Sequence, residues 1–164
     1  MARGFRIAAL GGLCSLFLLG AGTAAWAEDV QIASVAGVAS SSTIPPRVKQ
    51  ECNVQTSLPA AIASNASNVK LVQGKPTSGL HLDLVITSVH APGGGVFSGP
   101  KWIEARGTLK RGGKDLRSFR AKRISAAPLA GTCILLEKVA NTMGRDIADW
   151  LANENAGSLL GDAR

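Results

Sequence analysis

Three cysteines occur in this 164-residue chain, and one of them, Cys14, lies within an apolar run at the N-terminus. Arg3 and Arg6 precede that run, which extends from Ile7 to Gly20. A small-residue stretch then ends in Ala25-Trp26-Ala27. Basic, apolar and A-x-A regions in that order predict a cleaved secretory signal over residues 1–27, with Glu28 as the mature N-terminus. Cys52 and Cys133 then remain as a pair in an exported chain, and an oxidising compartment favours a bridge between them. Two separate buried thiols or a metal site are the alternatives. The histidines are His81 and His90, and no CxxC or HxxxH spacing is present, so the metal reading has little to stand on. A Cys52–Cys133 bridge forces the early and late parts of the chain together, and any fold has to satisfy that closure.

The residues between the cysteines fall into clear periodicities. After Pro45-Pro46, which suits a first helical turn, Val48, Cys52, Gln55, Leu58 and Ile62 recur at three- or four-residue intervals. Pro59 predicts a kink or restart within that helix. Leu80, Leu82, Leu84 and Ile86 alternate with His81, Asp83, Val85 and Thr87, the signature of a half-buried strand. Val69 to Gln73 adds a short strand before it. Lys101 to Arg111 and Asp115 to Ser125 read as a hairpin about Gly112-Gly113-Lys114.

The hairpin register follows from side-chain complementarity. With Arg111 facing Asp115 across a three-residue loop, Gly107 faces Phe119, Glu104 meets Lys122 and Arg106 meets Arg120. Phe119 then covers the gap left by Gly107, and the apolar residues share one face. A two-residue loop with Arg111 opposite Lys114 would shift the register by one and mix the faces, so the three-residue loop is expected.

The last element is a helix with Cys133, Leu136, Ala140, Met143, Ile147, Trp150 and Leu151 on its apolar side. Thr132 is its expected N-cap. Gly144 weakens the middle by about 1 kcal/mol relative to Ala, which points to close backbone packing there. The fold expected is α+β: a mainly antiparallel sheet of three to five strands, with two helices on one face tied by the disulfide. Residues 28–44 form a loose leader or an edge strand, 45–155 a single domain, and 156–164 a frayed tail.

Charge narrows the function. The chain carries 18 Lys/Arg against 11 Asp/Glu, a net +7, and loss of Arg3 and Arg6 with the leader leaves it near +5. Nine of the basic residues lie between Lys101 and Arg123. In the register above, Arg106, Lys110, Arg120 and Lys122 occupy the sheet face away from the helices. They form either a solvated face or a binding surface for a protein partner or an anionic envelope component. Nucleic acid fits poorly, since Trp102 is the sole aromatic near that face.

Gly93, Gly94, Gly95 and Gly99 lie in a loop that leads into a strand instead of a helix and lacks GK[ST], so it is not a phosphate loop. It is a plain connection or a binding loop with Val96 and Phe97 at its tip. His81, Asp83 and Glu104 are the candidates for an alternative reading as a small hydrolase or transferase. No nucleophile with an evident base accompanies them, and no cofactor motif is present.

The runs "GGGVFSGPKWIEARGTLKRGGKDLRSFRAKR" and "GTCILLEKVANTMGRDIADWL" resemble small exported bacterial envelope proteins of unknown function, over roughly Cys52 to Leu151. The resemblance implies a periplasmic or secreted location and transfers no site residue. The resulting expectation is an exported, non-enzymatic binding protein.

Overall fold

The structure, a computed structural model, describes residues 28–92, 99–125 and 130–164. The leader at 1–27 and its expected cleavage site, and Val96 and Phe97 of the Gly-rich loop, lie outside these residues. The chain runs β1 (Val30–Ala33), β2 (Gly37–Thr43), α1 (Pro46–Glu51), α2 (Val54–Asn65), β3 (Val69–Val72), β4 (Leu80–His90), β5 (Lys101–Arg111), β6 (Lys114–Ser125), α3 (Thr132–Ala152) and β7 (Leu159–Gly161).

Among the described residues seven strands form one sheet in the order β3-β1-β4-β5-β6-β7, with β2 also paired to β4. The α+β class and the disulfide are as expected, but the sheet is mixed, and it has seven strands and three helices instead of three to five and two. The centre, β4-β5-β6, is antiparallel. The flanks are parallel because helices carry the chain back across the sheet: α1 and α2 connect β2 to β3, and α3 connects β6 to β7. Parallel strands need crossover connections of this kind.

Residues 28–44, expected as a leader or edge strand, supply β1 and β2. Both lie on the same side of β4, pairing Ile32 with Leu82 and Gly37 with Val85. They are two halves of one interrupted strand, with Ser34 to Ala36 looped out between them. The tail expected to fray supplies β7, whose Leu160 is buried opposite Ala121 on β6.

The helical region breaks at Cys52-Asn53, where Asn53 adopts a left-handed conformation at φ 42°, and not at Pro59. Pro59 stays inside α2 because its missing N–H is compensated: the Gln55 carbonyl accepts the Ala36 N–H at 2.8 Å. The α3 helix starts at Thr132 after Gly131, without a side-chain cap.

The core lies between the helices and one sheet face. Leu82, Leu84 and Ile86 of β4, Ile103 and Ala105 of β5, and Phe119 and Ala121 of β6 are buried there, against Leu58 and Ile62 of α2 and Leu136, Met143 and Ile147 of α3. Cys52 and Cys133 are bridged with a Cα–Cα separation of 4.9 Å, which ties the end of α1 to the first turn of α3. Among the described residues no helix is long and apolar enough to cross a membrane.

Candidate functional site

The helices α2 and α3 cover one face of the sheet, so the other face of β4-β5-β6 is open, and alternation decides which side chains stand on it. Along the hairpin the expected pairs are present: Glu104 with Lys122, Ala105 with Ala121, Arg106 with Arg120, Gly107 with Phe119 and Leu109 with Arg117. The tip differs from expectation. Arg111 faces Lys114 and Lys110 faces Asp115, across a two-residue turn in which Gly112 and Gly113 have φ of 55° and 81°. Positive φ at both central residues is what a tight hairpin turn demands. The surplus residue, Leu116, forms a bulge that restores the pairing of the strand body.

Eight of the nine basic residues of the 101–123 run have distinct settings, Lys114 at the tip being exposed. Arg117 and Arg123 share the helix-facing side with Phe119. Arg117 donates to the carbonyls of Trp150 and Asn153, both at 2.8 Å, and its guanidinium lies 4.1 Å from the Trp150 ring centroid. It closes the C-terminal end of α3, where carbonyls lack partners within the helix. Arg123 forms a two-pronged pair with Asp146 on α3 at 2.6 and 2.7 Å. The hydrogen bond to Asp146 raises the Arg123 pKa above its ordinary value, against a lowering effect of burial. Arg111 pairs with Glu28 at 2.6 Å, and Lys101 is buried with its Nζ on the Gly99 carbonyl at 3.1 Å.

The four residues expected on the open face do lie there, in different electrostatic states. Lys110 stands between Asp115 at 3.3 Å and Asp83 at 3.9 Å. Lys122 pairs with Glu104 at 2.8 Å and sits 5.0 Å from the Trp102 ring centroid. Trp102 in turn stacks on His90, its cross-strand partner, with centroids 3.6 Å apart. Arg106 and Arg120 are exposed and directly opposite each other, and among the described residues neither has a carboxylate partner.

The two arginines line an open concavity of about 1250 Å³. Ser41 of β2, Thr87 of β4, Glu104 and Lys122 share its lining, and residues 161–164 border it beyond β7. The β4 strand has a bulge at Thr87, between the Ile86–Ala105 and Ser88–Glu104 pairs. Ser41 and the 161–164 segment were not legible as site residues because their place depends on the parallel pairing of β2 and β7, and Thr87 was not because it sits at the β4 bulge.

The alternative trio does not converge. Asp83 is opposite Thr108 while Glu104 is opposite Ser88, which sets them about 13 Å apart along the strands. His81 is 3% exposed with Nδ1 donating to the Gly79 carbonyl at 3.2 Å, and Asp83 is engaged by Lys75 at 3.0 Å. Among the described residues no group of three His, Cys, Asp or Glu side chains is placed to hold a metal ion.

No protein-family model matches the chain, and no curated protein shows significant similarity to it. Solved structures with a similar arrangement exist. An uncharacterized protein, 14% identical, matches 74% of this chain and 90% of its own length with a TM-score of 0.48. A PelC dodecamer from Paraburkholderia phytofirmans that carries a point substitution, 12% identical, matches 76% of this chain and 88% of its own with a TM-score of 0.50. A second PelC dodecamer structure from the same organism is 8% identical, with coverages of 72% and 86% and a TM-score of 0.46. At these identities the likeness concerns the fold alone.

Proposed function

We propose that this is an exported, non-enzymatic envelope protein that binds an anionic component through the open face of the β5–β6 hairpin. The observation that carries this reading is the unneutralised Arg106–Arg120 pair within a broad concavity. Like charges directly opposite on a sheet are unfavourable, and every other opposed cation on the open hairpin face has a carboxylate nearby. An incoming anion relieves that repulsion. The patch thus contracts to Arg106 and Arg120, with Lys122 beside them, while Lys110 is largely neutralised by Asp83 and Asp115. The Gly-rich loop joins β4 to β5 beyond the His90–Trp102 pair, and Val96 and Phe97 are proposed as its contacts with a partner. Export is supported by the leader pattern of residues 1–27 and by the Cys52–Cys133 bridge, which suits an oxidising compartment.

The test uses retention on immobilised heparin. The wild-type protein is retained and elutes with rising salt, since exposed charges are screened. Arg106→Ser/Arg120→Ser elutes at distinctly lower salt than Lys110→Ser/Lys114→Ser, which removes the same charge from the hairpin tip. Equal elution of the two variants would overturn the assignment of the site. N-terminal sequencing of the exported protein reads Glu28 if the leader is processed as proposed.

A further inference from the structure

The row of side chains across the open face at the arginine level runs Val85, Arg106, Arg120 and Leu159 from β4 to β7. Apolar residues therefore flank the pair on both sides, and no carboxylate shares the row. The next row carries Ser88, Glu104, Lys122 and Gly161, and there Glu104 holds Lys122 at 2.8 Å. Asp162, the other acidic residue at the concavity, lies 3.9 Å from Arg123 and accepts the Ile124 N–H at 3.0 Å. The acidic side chains of the site are thus engaged, while the directly opposed Arg106 and Arg120 guanidiniums remain unmatched.

We infer that Arg106 and Arg120 form a two-guanidinium clamp for a single dianionic phosphate group, with Glu104 as a resident competitor that holds back Lys122. This rests on the anion-binding reading above and adds the ligand class. Directly opposed residues on a sheet have Cβ atoms about 4.5–5.5 Å apart, so two long side chains from them reach one group between them. A guanidinium presents paired N–H donors that match phosphate oxygens, and two such forks satisfy more than one oxygen pair. A monocarboxylate offers two oxygens and one charge, which fills one fork and leaves the other guanidinium unmatched. A phosphate monoester offers three free oxygens and close to two charges. Phosphate bound there also attracts Lys122, one residue pair along the strands. Glu104 opposes it twice over, by repelling the dianion and by retaining the lysine.

Calorimetry on the full chain at fixed ionic strength tests the clamp with inorganic phosphate and acetate. Co-sedimentation with phosphatidylcholine vesicles doped with phosphatidic acid or with phosphatidylglycerol, at matched surface charge, tests whether a lipid headgroup is the source. The clamp predicts that phosphate binds at least tenfold more tightly than acetate. Arg106→Gln and Arg120→Gln each lose about tenfold or more, as expected for a charge-assisted bond. Glu104→Gln gains severalfold, and loses part of that gain when Lys122→Gln is added, the remainder being the relieved repulsion. Preference for phosphatidic acid over phosphatidylglycerol identifies a lipid monoester as a source; binding of free phosphate without vesicle binding identifies a soluble one. Equal affinity for phosphate and acetate overturns the clamp while leaving the anion-binding reading intact, provided the heparin retention still depends on both arginines. Weaker phosphate binding by Glu104→Gln overturns the competitor role. Melting temperatures of the arginine variants no lower than that of the wild type separate lost binding from lost folding.

Discussion

Gly144 on α3 faces Ala61 on α2 so closely that a β-carbon at position 144 would lie 2.6 Å from the Ala61 Cβ and 2.8 Å from its carbonyl carbon. The glycine is the point where the two helices touch backbone to backbone above the sheet. Helix propensity alone makes Gly144→Ala favourable by about 1 kcal/mol. The clash involves main-chain atoms of a buried helix, which a rotamer change cannot relieve, and overpacking of this kind costs about 1–3 kcal/mol. Gly144→Ala is expected to lower stability in urea denaturation. Combining it with Ala61→Gly should recover part of the loss, giving a favourable coupling in the double-mutant cycle.

The sheet side of the same core depends on Phe119. Its ring occupies the space where a side chain at Gly107 would stand, and it meets Trp150 edge-on with centroids 4.9 Å apart. Phe119→Ala is expected to destabilise by about 3–5 kcal/mol. Gly107→Ala is expected to destabilise as well, because its methyl group would collide with that ring. Denaturant midpoints check both, and a midpoint for Phe119→Ala near that of the wild type would refute this account of the core.

The body of the hairpin was legible because its register is written in complementary pairs: the glycine under the phenylalanine and Glu104 beside Lys122. The tip was not, since Leu116 bulges out and uncouples the turn from the strands it joins. One extra residue there made the correct body register point to the wrong loop length. The β1–β2 strand was obscure for a different reason. Its small, mostly uncharged residues carry little periodic contrast, and its position beside β4 is fixed by the helical crossover that follows. At the site, the open-face arginines could be read from alternation. The engagement of Arg117 with the α3 carbonyls and of Arg123 with Asp146 could not, because both require the placement of a helix distant in sequence.

Arg117 provides a test of that division between structural and surface cations. It bonds two main-chain carbonyls at the end of α3 and covers the Trp150 ring. Arg117→Met keeps much of the apolar stem but removes both hydrogen bonds and the cation–π contact, with an expected loss of about 1–2 kcal/mol. Arg111, whose pair with Glu28 is exposed at both ends, should lose less than about 1 kcal/mol on replacement by Met. Thermal melts of the two variants give the comparison.

Reduction of Cys52–Cys133 should be the largest single perturbation of the unfolded state. The bridge closes a sequence separation of 81 residues, and in the chain-entropy account such a loop contributes about 4 kcal/mol. Cys52→Ser/Cys133→Ser is expected to lower the denaturant midpoint accordingly while keeping the same sheet content by circular dichroism. A fall in stability near zero would mean that contacts between α2 and α3 alone hold the chain ends of the domain together.

The opposed arginines make a prediction of the opposite sign. Arg106 and Arg120 face each other without a carboxylate partner among the described residues, so removing one charge relieves repulsion instead of breaking a bond. A like-charged cross-strand pair is unfavourable by about 0.2–1 kcal/mol. Arg106→Gln and Arg120→Gln should each raise the melting temperature slightly at low ionic strength, with no further gain in the double variant. The gain should shrink as salt is raised, because near 1 M the screening length is only about 3 Å. Lys122→Gln should behave differently, since it leaves Glu104 without its partner and Trp102 without the cation beside it. Stabilisation of both arginine variants, together with their loss of anion retention, is the pattern expected of a site that exchanges stability for binding. If either arginine variant melts lower than the wild type at low salt, the pair is structural and the open face has another role.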